Sequence, residues 1–194
     1  MRVTVPNGAT TEKIDSFKLA HGEGTTTERG GYEGSSMANR ATEYLPYGLF
    51  GVAIIAAVLN IALFGEGVVE SFLLWFLVIV VGFGSLYAFV GHTFAADDVA
   101  RSIGWPTGSP FQFEVALHDL AIGVLGVLSF WLRGDFWSAT VIAFAVFGLG
   151  AAYGHIRDIR LRRNYALGNA GPVLYINDVL LPLLLVVLLI VYRA

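Results

Sequence analysis

The chain has 194 residues, 56% of them hydrophobic and 14% charged, with a mean hydropathy of +0.67. Soluble domains carry about 25% charged residues, so much of the usual solvated surface is missing. A net charge of −3 offers no basic face for nucleic acid, and the absence of cysteine excludes disulfides, thiolate metal sites and cysteine nucleophiles.

Residues 1–44 differ in kind from the rest of the chain. The stretch from His21 to Ser36 is polar, glycine-rich and nearly free of aliphatic side chains. It holds too little apolar area to offset the entropy of ordering, so it reads as a disordered tail. A basic segment followed directly by a short apolar one, the pattern of a signal peptide, is not seen. Met37 precedes the first apolar run and is an alternative start to Met1.

Five long apolar runs make up residues 45–194: Pro46 to Gly65, Ser71 to Phe94, Pro110 to Leu132, Phe136 to Arg157 and Pro172 to Tyr192. At 1.5 Å per residue, about 20 helical residues cross a hydrocarbon core of roughly 30 Å. Runs of this length without strand alternation specify helices, because a segment in lipid must satisfy its own backbone polar groups. The expectation is an all-α polytopic membrane bundle of five transmembrane helices, with the lipid bilayer as its first partner. If the spans alternate, Arg29, Arg40, Arg101, Arg157, Arg160, Arg162 and Arg163 fall on one side and only Arg133 and Arg193 on the other. The positive-inside rule then puts the N-terminus in the cytoplasm and the C-terminus outside.

The connections carry local signals. Ala95 to Gly104 reads as a short amphipathic helix with Val99 and Ile103 on one stripe and Gly104 as its stop. Trp105 comes next, at headgroup depth. Ser109-Pro110-Phe111-Gln112 reads as a helix start with Ser at the N-cap and Pro at the first helical position. Asp135 reads as a cap for the fourth helix, and Asn169-Ala-Gly-Pro172 opens the fifth. Small residues in Gly150-Ala-Ala-Tyr-Gly154, and Gly84 and Ala88 ahead of His92, suit close helix packing.

The stretches Gly104-Trp-Pro-Thr-Gly-Ser-Pro-Phe-Gln-Phe-Glu114, Phe136-Trp-Ser-Ala-Thr140, Gly154-His-Ile156 and Gly168-Asn-Ala-Gly171 resemble a prokaryotic family of small multi-pass membrane proteins catalogued only as a domain of unknown function. The resemblance covers about residues 47–192. It implies a bacterial or archaeal inner-membrane protein and no activity, cofactor or substrate. It also places a Glu at Glu114, a His at His155 and an Asp at Asp178.

The ionisable groups within the runs gather toward the inner side. His92 ends the second run; Glu114, His118 and Asp119 lie at the start of the third. His155 and Asp158 lie at the end of the fourth, and Asp178 in the inner part of the fifth, where Pro182 lacks the N–H that would bond the carbonyl of residue 178. Ionisable residues in spans are costly and usually face a bundle interior or a watery cavity. The expected ligand-binding set is therefore Glu114, His118, His155, Asp178, Asp158 and His92. Glu114, His118, His155 and Asp178 are its candidate ligands for a divalent metal ion, because His with carboxylate suits zinc, iron or manganese. The plain alternative is that groups at helix ends reach headgroups and water, or that carboxylates near helix N-termini serve the helix dipole.

Three function classes are open: a small-ligand or metal-binding membrane protein, which the sequence favours; a proton-coupled or small-solute transporter; and an accessory or scaffold subunit packing against other membrane subunits or its own copies. No Ser–His–Asp order, phosphate loop or nucleotide fingerprint supports catalysis, and no catalytic residue is assigned.

Overall fold

The structure, a computed structural model, describes residues 29–194, with side chains from Tyr44 onward except Pro46. Of the expected tail, residues 1–28 lie outside the described residues and 29–43 are described only as helical backbone, so the choice between Met1 and Met37 lies outside them too. All regular structure among the described residues is helical. Helix α1 spans Arg29–Phe64, α2 Val68–Phe94, α3 Ala96–Ile103, α4 Phe111–Leu128, α5 Asp135–Arg162 and α6 Leu167–Arg193. Among the described residues, five stretches are long and apolar enough to cross a membrane: Tyr47–Phe64 within α1, and α2, α4, α5 and α6. Large apolar side chains stand exposed on all five, among them Leu63, Val90, Val124, Val146 and Ile190. A water-soluble bundle would bury such side chains; a hydrocarbon solvent makes their exposure favourable.

The centre of the bundle is a π-helical segment of α2, Phe76–Phe83, whose residues 76–82 are all buried. Phe50 of α1 meets Phe76 edge-on at 5.2 Å, and Asn60 donates to Ser71 at 3.0 Å, so one stripe of α1 lies against α2. Helices α2 and α4 approach through glycine: a Cβ on Gly126 would lie 2.5 Å from the Gly82 nitrogen, and one on Gly123 would lie 2.8 Å from Leu86. Packing through small residues is thus real, but only some of those expected take part: a Cβ on Gly84 would lie 3.4 Å from Leu49 of α1. Added Cβ atoms on Gly150 and Gly154 would meet nothing within 4 Å, and the buried member of that motif is Ala152. On α5 it is Gly148 that admits a neighbour, with Pro182 of α6 3.0 Å from its would-be Cβ.

Helix boundaries shift for local reasons. Helix α4 is 18 residues, about 27 Å long, and continues as a tightened turn in which Trp131 bonds the Leu128 carbonyl. Ser109 serves its start through its carbonyl, which accepts from Gln112, and no side chain caps the helix. Gly134, not Asp135, precedes α5, and Asp135 instead pairs with Arg193. Within α6 the chain bends at Gly171 and then runs as a π-helix over Val173–Leu180. The N–H of Leu181 bonds the Ile176 carbonyl five residues back. This slip in register comes just before Pro182, which has no N–H to give to the 178 carbonyl.

The two ends of the bundle are chemically distinct. At one end, Arg133 of the α4–α5 connection bonds Glu70 at 2.5 Å, and the Arg193–Asp135 pair joins α6 to α5. Trp137, fully buried, donates to the Ser129 carbonyl at 2.8 Å there. At the other end, α3 docks on the α5–α6 connection, where Asn164 donates to the Ile103 carbonyl at 2.8 Å. These contacts group the connections as strict alternation of five spans requires.

Candidate functional site

The second end holds two His–carboxylate pairs. His92, in the last turn of α2, places Nδ1 2.7 Å from Asp119 Oδ2 of α4. Asp119 is buried because it shares the face of α4 that carries Ala116, Ile122, Gly123 and Gly126, the stripe pressed toward α2. On the π segment of α6, Asp178 Oδ2 is 3.9 Å from His155 Nε2 of α5. The two pairs, His92–Asp119 and Asp178–His155, draw on four helices.

The tautomer of His155 is set by its neighbours. Asn169 Nδ2 donates to the Asn164 carbonyl at 2.8 Å, which fixes the amide so that Oδ1 faces His155 Nδ1 at 2.8 Å. An amide oxygen only accepts, so Nδ1 carries the hydrogen. His155 Nε2 is left facing Asp178 at 3.9 Å, an ion-pair distance beyond a direct hydrogen bond. Trp105 stacks on the same ring, with centroids 5.4 Å apart and planes at 20°. Its indole N–H donates to Asp158 Oδ2 at 3.1 Å, which also accepts from Asn164 Nδ2 at 2.7 Å, while Arg162 Nε lies 3.3 Å from Oδ1.

Glycine makes this rim possible. Gly104 ends α3 at φ 77°, and a Cβ there would strike Asn164 Oδ1 at 2.7 Å. A Cβ on Gly168 would strike the Ser102 carbonyl at 2.8 Å. Gly168 brings the start of α6 against the α3 backbone, and Gly104 admits the Asn164 side chain; together they seat Trp105 over His155.

The expected residues are brought together only in part. His155 and Asp178 meet, with Asp158 at the rim through Trp105, while His92 pairs separately with Asp119. Glu114 stands apart: it is exposed and makes no hydrogen bond or ion pair among the described residues. One turn deeper, His118 lies flat on Phe147 with centroids 3.7 Å apart, and its Nε2 is buried without a hydrogen-bond partner among the described residues. Among the described residues, no group of three or more His, Cys, Asp or Glu side chains is placed to hold a metal ion. The expected quartet does not converge: Glu114 is exposed, turned away from the buried face of α4 that carries Asp119, and His118 is stacked on Phe147. Asp119, Asn164, Asn169 and the stacking role of Trp105 were not in the expected set. Asp119 is signalled by its place on the glycine stripe at 116, 119, 123 and 126. Asn169 lies within one of the motifs that carry the family resemblance.

Among curated proteins and among solved structures, nothing matches the chain. A family model does, over residues 43–194, which takes in every helix that forms the site and leaves out residues 1–42. The chain belongs to this family, described as a family of unknown function (DUF6790).

Proposed function

We propose that the chain is a multi-pass inner-membrane protein whose His92–Asp119 and Asp178–His155 pairs bind protons reversibly inside the bilayer, as the working part of a proton-coupled process. One observation carries this reading. Asp119 and Asp178 are two carboxylates within spans, and their ion-pair partners among the described residues are imidazoles, with no Lys or Arg. A fixed guanidinium would neutralise a carboxylate at all times. An imidazole does so only when it holds a proton, so the charge of each pair is set by proton occupancy. Intramembrane Asp and His chains of this kind are the material of proton relays.

Metal or small-ligand binding is the second reading, favoured by the unpartnered His118 Nε2 and opposed by the separated donor sets. Infrared difference spectra of the lipid-reconstituted protein across a pH titration test the first. A protonated-carboxyl band that grows on acidification and is lost in both Asp119→Asn and Asp178→Asn is the expected result. A band unchanged in both variants overturns it.

A further inference from the structure

Where α5 leaves the apolar region, a cleft of about 380 Å³ opens between Trp105 and the last turns of the helix. Its walls include Arg157 and Arg162, and its mouth is bounded by Tyr153 and Leu161, which are 71% and 70% exposed. Gly154 leaves its side open, since a Cβ there would meet nothing within 4 Å. We propose that this cleft is a binding site for the phosphate headgroup of an anionic phospholipid, held by Arg157 and Arg162.

Charge is the first argument. Arg157 has no acidic partner among the described residues. Arg162 offers only Nε to Asp158, at 3.3 Å, which leaves its two terminal nitrogens for another acceptor. Two arginines lining one cavity are suited to the paired oxygens of a phosphate. Two features oppose an anion: the Asp158 carboxylate in the wall and the negative end of the α5 dipole. Asp158 is already met by Asn164, Trp105 and Arg162, so its charge is largely spent on holding Trp105 and Arg162 in place around the cleft.

The second argument distinguishes a lipid from a free anion. Below the mouth, the same face of α5 continues through Tyr153, Val146 and Ile142, which are 71%, 70% and 59% exposed. That stripe leads from the cleft along the span and offers an acyl chain a continuous apolar path, while the cleft itself has room for a headgroup only. Trp105 and Tyr153 flank the opening, as amphipathic rings do at the membrane boundary.

Native mass spectrometry of the full chain in detergent, titrated with phosphatidylglycerol or phosphatidylcholine, tests the site. One phosphatidylglycerol should be retained in preference to phosphatidylcholine. Retention should weaken about fivefold in Arg157→Gln and more in the Arg157→Gln/Arg162→Gln double variant, since each arginine near a membrane surface contributes about that factor. Gly154→Leu, which fills the cleft and keeps every charge, should also lose the lipid. Arg160→Gln should retain it, because Arg160 is exposed on the same helix and does not line the cleft. Equal retention of both lipids overturns the proposal, as does a loss in Arg160→Gln matching that in Arg157→Gln, the mark of a diffuse positive surface. Displacement of the lipid by millimolar inorganic phosphate would also overturn it, assigning the cleft to a free anion.

Discussion

Trp105 lies flat on His155, planes 20° apart, while the edge of the same indole donates to Asp158 at 3.1 Å. One side chain from the α3–α4 connection thus covers the inner face of a buried histidine and ties it to the rim of α5. The stack and the hydrogen bond are separable. Trp105→Phe keeps an aromatic ring over His155 and loses only the N–H, so it should melt somewhat below the parent. Trp105→Ala loses the stack as well, at a further cost of about 1 kcal/mol. Thermal unfolding in detergent checks the order. If Trp105→Ala melts with the parent, the indole is not seated on His155.

The His92–Asp119 pair, 2.7 Å apart, should show coupling in a double-mutant cycle. Removing either partner leaves the other buried and alone, so His92→Ala and Asp119→Asn should each destabilise. The double variant should fall short of their sum by about 1–2 kcal/mol. Glu114→Gln, at an exposed side chain with no partner among the described residues, should stay within about 0.5 kcal/mol of the parent. Additive effects at 92 and 119, or a large effect at 114, would contradict the placement of His92 on α2 against Asp119 on α4, with Glu114 turned away.

Much of this arrangement is legible in the sequence, and the remainder is hidden for a physical reason. Run length and hydropathy are properties of single segments, so the five spans and the amphipathic α3 can be read from the residues themselves. The depth of His155 and Asp178 can be read too, since the connections anchor the helices that carry them. The rotation of each helix about its axis is a different matter, because it is settled by neighbours. Glu114 and Asp119 are five residues apart, more than a full turn, and both sit near the start of α4. Which one turns inward is decided by Gly123 and Gly126 meeting α2, a contact between segments that the apolar pattern does not rank. The π-helical register of α6 around Asp178 is likewise hinted at by Pro182 but set by packing against Gly148.

Glycine substitutions separate the two kinds of small residue. At Gly126 a methyl group would lie 2.5 Å from the Gly82 backbone nitrogen. Backbone cannot rotate away as a flexible side chain does, so Gly126→Ala should cost at least about 2 kcal/mol and lower the yield of folded protein. At Gly150 the added methyl meets nothing within 4 Å, and the gain in helix propensity should stabilise by about 0.5–1 kcal/mol. Melting temperatures of the two alanine variants, measured side by side, should move in opposite directions. A tolerated Gly126→Ala would mean that α2 and α4 are further apart than described.

The two ends of the bundle differ in how their arginines are compensated, and this sharpens the orientation. At the end formed by the α1–α2 and α4–α5 connections, Arg133 is bonded to Glu70 with Glu66 3.9 Å away, and Arg193 is paired with Asp135. At the opposite end Arg157, Arg160 and Arg163 have no acidic partner among the described residues. Among the described residues the uncompensated positive charge therefore lies on the side of α3, and the positive-inside rule predicts that this side faces the cytoplasm. The C-terminus, on the other side, should be outside. A reporter fused after Ala194 should behave as periplasmic or extracellular, and a cysteine introduced at exposed Thr107 should react with an impermeant maleimide only after the membrane is opened. A cytoplasmic signal from the Ala194 fusion, or labelling at 107 in intact cells, would reverse the assignment.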